Sequence, residues 1–115
     1  MDVTVKECVI ERYLVDQVER KLKGEARKWT TRTHDPDRIL LLPGGKTVFV
    51  EVKRPGAKPR DGQLREIARL NKMGFPAYWV STREEVNLLI EELQCFLVPE
   101  LKNPESRERQ KLSHW

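Results

Sequence analysis

No stretch of this chain approaches the ~20 consecutive apolar residues that a membrane-spanning helix requires. The opening Met1-Asp2-Val3-Thr4-Val5-Lys6 also lacks the apolar core of a signal peptide. A protein that works inside the cell is therefore the expectation. Cysteine is scarce as well. Cys8 and Cys95 stand far apart, with no CxxC and no Cys/His grouping, which argues against a zinc site. In a reducing cytosol a disulfide is equally disfavoured, and both thiols are expected to serve as small buried hydrophobes. Internal repeats and low-complexity segments are absent.

What is present is a chain of 115 residues, enough for one core and one active site. Charged residues make up 35% of it against 38% hydrophobic, so the surface must be heavily charged. The net charge of +4 is mild, and the placement of the cations matters more than their number.

Apolar spacing predicts a helix over residues 5–23, with Val9, Ile10, Tyr13, Leu14, Val18 and Leu22 at three- and four-residue intervals and Gly24 to stop it. Thr4-Val5-Lys6-Glu7 has the form of a capping box for that helix. A short strand is expected over Ala26–Thr31. Residues 38–42 and 47–53 then read as a hairpin around Pro43-Gly44-Gly45-Lys46. Asp61 is placed to cap a second helix over residues 62–72, with Leu64, Ile67, Ala68 and Leu70 inward and Gly74 as its stop. Ala77-Tyr78-Trp79-Val80 reads as a buried strand, and Ser81-Thr82-Arg83-Glu84 as a capping box opening a helix to about Gln94. The order is αβββαβα, an α/β domain over residues 1–98 with a mixed sheet flanked by helices, followed by a charged tail over 99–115.

Within that order one constellation carries chemistry. Asp37 sits at the mouth of the apolar run Ile39-Leu40-Leu41-Leu42, and Glu51 and Lys53 lie two apart in Thr47-Val48-Phe49-Val50-Glu51-Val52-Lys53. Residues two apart on a strand share a face, so Glu51 and Lys53 project together while Val48, Val50 and Val52 turn to a core. Two carboxylates can hold a hard divalent cation, and a lysine beside it can orient a water or neutralise charge on a phosphate. The trio suits phosphodiester hydrolysis. The bland alternatives are a turn role for Asp37 after Pro36 and a solvated cross-strand ion pair for Glu51 and Lys53.

With Glu7 and Ile10 ahead of it, Pro36-Asp37-Arg38 and Glu51-Val52-Lys53-Arg54-Pro55-Gly56 within it, and Gln63 behind, this pattern resembles the VRR-NUC domain of the PD-(D/E)xK nuclease superfamily over residues 4–94. The resemblance implies a restriction-endonuclease-like fold and Mg2+-dependent hydrolysis, with Mn2+ able to substitute. It assigns Asp37, Glu51, Lys53 and Gln63 to catalysis, and Glu7, Asp37, Glu51 and the Val52 carbonyl to the metal. Gln63 would contact the lysine or the water. Glu7 has its capping box as a rival explanation, and Glu11 is the weaker match to the family's helical glutamate. Members built of this domain alone resemble structure-selective enzymes acting on branched DNA such as four-way (Holliday) junctions; the alternatives are a non-selective or nicking nuclease and a non-catalytic nucleic-acid-binding module of the same fold. Junction cutting implies a homodimer, because one chain carries one site and symmetric cutting needs two. Such members are commonly of phage or bacterial origin, which points to the cytoplasm of a bacterial host.

Arg54, Lys58, Arg60, Arg65, Arg69 and Lys72 cluster just after the expected site. A solvated basic face is the ordinary explanation; beside a phosphate-cleaving centre they would track a nucleic-acid backbone. His34 is expected to be a simple loop residue rather than a proton donor, and Trp29 and Trp79 to belong to the core. Register sets a last condition. A two-residue loop at Gly44-Gly45 would turn Asp37 away from Glu51, whereas an odd-length loop, a bulge, or a strand starting after Asp37 would let the two share a face.

Overall fold

The expected order αβββαβα is the one observed in the computed structural model, which describes residues 5–102. It consists of α1 (Glu7–Leu22), β1 (Glu25–Lys28), β2 (Arg38–Leu42), β3 (Lys46–Val52), α2 (Asp61–Lys72), β4 (Ala77–Val80) and α3 (Arg83–Lys102). The strands form one mixed sheet in the order β1-β2-β3-β4, antiparallel except for the parallel β3–β4 pair that the α2 crossover allows.

Alternation along β3 divides the molecule. Val48, Val50 and Val52 are fully buried on one face, where they meet Leu40, Leu42 and Val80 beneath α1 and α3. The other face carries Phe49, which packs with Leu70 and Ala77 and against Trp29, Ile39 and Ile67 under α2. Glu51 is the next residue along that second face.

Local chemistry differs from expectation at several element ends. α1 begins at Glu7 with Lys6 as its N-cap and no side-chain cap, while Thr4 lies outside the described residues. Its stop is Lys23, which takes the left-handed conformation (φ 57°) expected of a glycine. Gly24 has another duty: a Cβ there would fall 2.5 Å from the Leu41 carbonyl oxygen, so the close approach of this turn to β2 requires glycine. β1 ends at Lys28 rather than Thr31. The N-cap of α2 is Arg60, and Asp61 is the first helical residue instead, where its charge suits the helix dipole. Leu64 and Ala68 are exposed, because only the Ile67–Leu70 edge of α2 reaches the sheet.

The cap of α3 is shifted by one residue. Glu85 N–H donates to Thr82 Oγ1 at 3.1 Å, while the Glu85 carboxylate accepts from Ser81 N–H at 2.7 Å. This helix also runs past Gln94 and Pro99 to Lys102, beyond the domain boundary expected at residue 98. Leu89, Ile90, Leu93 and Leu97 continue its buried stripe. The charged segment from residue 103 lies outside the described residues. Cys8 and Cys95 are both exposed, contrary to the buried role expected of them, because each falls on the outer side of its helix.

The β4 edge is closed by side chains. Asn71 accepts from Ala77 N–H through Oδ1 at 3.0 Å and donates to the Ala77 carbonyl through Nδ2 at 2.9 Å, as a neighbouring strand would. At the other end the Glu85 carboxylate accepts from Ser81 N–H. The opposite edge, β1, carries Glu25, Arg27 and Lys28, so neither edge offers a bare pairing surface. Among the described residues no helix is long and apolar enough to cross a membrane.

Candidate active site

The β2–β3 register pairs Leu42 with Lys46 and Arg38 with Val50, which leaves Pro43, Gly44 and Gly45 as a three-residue loop. Both glycines have positive φ (81° and 71°), the conformation such a loop demands and one that side chains resist. Carried one residue past Arg38, this odd-length register sets Asp37 opposite Glu51. Asp37 itself lies just before β2.

The two acids are interlocked. Asp37 N–H donates to Glu51 Oε1 at 3.1 Å, and Asp37 Oδ2 accepts from Val52 N–H at 3.0 Å. Glu51 is buried (1% exposed), and Lys53 Nζ stands 3.0 Å from its Oε2. Gln63, in the first turn of α2, donates from Nε2 to the same Oε2 at 2.6 Å. Its Oε1 accepts from Arg60 N–H at 2.9 Å, which fixes the orientation of the amide. The glutamine therefore grips the carboxylate, where the lysine or a water was the expected target.

Electrostatics mark the same cluster. Burial pushes the Glu51 carboxyl above its ordinary range against the pull of Lys53, and the Asp37 charge raises it further. Asp37 is raised first by burial and then by Glu11, despite its bond from Val52 N–H. Glu7 is raised by burial and by Asp37, and lowered by Lys53 and Arg54, so the first turn of α1 faces this centre. Desolvation and mutual repulsion of carboxylates are what a bound cation would relieve.

Among the described residues no group of three or more His, Cys, Asp or Glu stands close enough to form a ready-made metal cage. Asp37 and Glu51 are brought together, and Glu7 is near enough to feel Asp37 without joining a three-acid cluster. Glu11 is committed elsewhere, bound by Arg38 Nε at 2.6 Å, while Arg38 also donates to the Ala26 carbonyl at 3.1 Å. That pair ties α1 to β2 beside the site. Nothing in the local pattern announces it, since the partners are 27 residues apart.

Of the expected cations, Arg54, Lys58, Arg60 and Arg65 are exposed around the loop and first turns of α2. Arg69 is not free for phosphate, because Glu66 holds its guanidinium at 3.0 and 2.9 Å. His34 lies over the start of α2, where a Cβ on Gly62 would meet its ring. Asp35 anchors the loop leading to Asp37. Its carboxylate accepts from the Thr31 hydroxyl and from Thr31 and Arg32 N–H (3.2 and 2.9 Å); these bonds outweigh burial and hold its pKa below the usual value.

Comparison with known proteins finds relatives matched over most of their own length. No family model matches the chain. A phage protein named "Putative nuclease p44", from Acyrthosiphon pisum secondary endosymbiont phage 1, is 41% identical over 87 residues, spanning 74% of this chain and 92% of that protein. A solved structure named "VRR_NUC domain" superposes with a TM-score of 0.68 at 34% identity, covering 76% of this chain and 96% of its own. In both cases almost the whole of the relative is matched, so the likeness embraces a complete domain.

Proposed function

Because this chain belongs to the VRR-NUC family of nucleases, we propose that it is a Mg2+-dependent endonuclease that hydrolyses phosphodiester bonds in DNA, selective for branched forms such as four-way junctions. One observation carries the reading: Asp37 and Glu51 are hydrogen-bonded into a single unit on the face that also presents Lys53.

The donors suit the cation. Mg2+ takes one or two carboxylates together with waters and substrate phosphates, and does not need a full protein cage. Asp37, Glu51 and the Val52 carbonyl meet that demand, with Glu7 alongside. Mn2+ shares the oxygen preference and should substitute. Bound there, the cation would offset charge growing on the phosphate and make an attacking water more acidic. The remaining work falls to the chain. Lys53 is held by Glu51 in position to donate to a water or a phosphate oxygen. Gln63 locks the Glu51 carboxylate from the other side. Exposed Arg54, Lys58, Arg60 and Arg65 would attract the DNA backbone without regard to sequence.

The described residues supply one such centre, so symmetric incision of a junction calls for a homodimer. The test is incubation of the purified protein with a labelled four-way junction and with a linear duplex of the same arm sequence, with and without Mg2+. Preferential Mg2+-dependent cutting of the junction by a species that light scattering reports as a dimer is expected. Equal cutting of both by a monomer would replace this reading with a nicking nuclease of little structure preference.

A further inference from the structure

On the α2 face of the sheet, the cross-strand pair next to the carboxylates is apolar. Phe49 precedes Glu51 by two residues and Ile39 follows Asp37 by two, a displacement of roughly 7 Å along the strands. Between them and α2 opens a cavity of about 500 Å3 whose walls include Trp29, Phe49, Phe75, Ile39 and Leu70. Three aromatic rings line it, Trp29 to Phe49 at 5.5 Å and Phe49 to Phe75 at 6.2 Å between centroids, both edge to face. Phe75 is 45% exposed, so the cavity is open rather than a packing defect inside the core. Its rim carries Arg32, Asp35, Glu66 and Arg69, which are ion-paired with one another, so the cavity is an apolar, aromatic slot edged by a charged network. The backbone places Trp29 beside the reaction centre, its main-chain N–H donating to the Asp37 main-chain carbonyl at 2.9 Å.

We propose that this cavity is a subsite for one unstacked nucleobase of the DNA whose neighbouring phosphate lies at Asp37 and Glu51, an inference that rests on the nuclease reading and deepens it. A base offers a π-face to the rings, and its polar edge would sit at the charged rim where solvent reaches the cavity. A base in intact duplex must first be unstacked and unpaired, whereas one at a branch point or bulge has already lost part of that stability. The subsite therefore provides a physical route to preference for non-duplex DNA that base sequence does not set.

The experiment is fluorescence anisotropy in EDTA, where binding is read without hydrolysis, using a fluorescein-labelled duplex with one unpaired adenine and the same duplex fully paired. Wild type is expected to bind the bulged duplex more tightly by at least about fivefold. Phe75→Ser, at an exposed ring, and Thr47→Phe, which fills the cavity from the sheet, should each bring that ratio close to one. A ratio near one in wild type, or a wild-type ratio in either variant, overturns the proposal. So does a change from dimer to monomer in the variants with the ratio intact, which would make the cavity a face between two copies of the chain. Failure of wild type to cut either DNA in Mg2+ would instead overturn the nuclease reading, leaving the binding ratio to decide the subsite.

Discussion

Asp37 and Glu51 each hold the other's strand in place: the Asp37 amide is bonded to the Glu51 carboxylate, and the Asp37 carboxylate to the amide that follows Glu51. Neither acid can shift without disturbing its partner. Both carboxyls are nevertheless raised above their ordinary values, burial being the largest cause, so the fold holds two acids that would be more stable uncharged. Stability is given up here in favour of a site that wants positive charge.

Asp37→Asn should therefore be more heat-stable than wild type at neutral pH in EDTA. An acid whose folded pKa is raised favours the fold fully below its unfolded value, 3.8 for Asp37, and that contribution is lost as pH rises through the folded value. Asparagine keeps an oxygen for Val52 N–H and removes the charge. Thermal melts across pH are expected to show the gap widening from acid to neutral pH, and added Mg2+ should narrow it by stabilising only wild type. A variant less stable than wild type at pH 7 in EDTA would contradict this.

Gln63 bridges the helix start and the Glu51 carboxylate, and its loss should be felt in rate before affinity. Gln63→Ala is expected to lower kcat by about 10–100-fold, the usual effect of removing a residue that orients a metal-binding carboxylate. Loss of the bond to Arg60 N–H should cost about 1 kcal/mol of stability as well. Gln63→Glu should be worse, since it faces one carboxylate with another. Steady-state kinetics with equal activity in Gln63→Glu and wild type would remove Gln63 from the site.

Lys58 and Arg60 are exposed beside the centre. Charge reversal at both should weaken binding to every DNA tested and flatten the salt dependence, as loss of phosphate contacts requires. Titrations over a salt series on two unrelated duplexes measure this. A loss confined to one duplex would indicate base readout instead.

Features governed by short spacing were legible in the sequence. The period of two in β3 separated Glu51 and Lys53 from the buried valines, and the family pattern picked out Asp37 and Gln63. The need for an odd-length loop followed from alternation alone, and the three-residue turn meets it. Element ends were less legible, because Ser81 and Thr82 are equally good caps by type and only the packing of Val86 and Leu89 selects Thr82. Gly24 looked like a helix stop, yet its reason is the Leu41 carbonyl across the turn. Contacts between distant residues left no local trace: the Glu11–Arg38 pair, and Glu51 as the partner of Gln63.

The most direct measurement is cleavage of labelled DNA by wild type, Asp37→Asn and Lys53→Ala, in Mg2+ and in EDTA, with circular dichroism on the same samples. Wild type should cut only in Mg2+, and both variants should be folded and inactive, because the acids and the lysine act as one unit. Near wild-type cutting by either folded variant, or cutting by wild type in EDTA, would contradict the account.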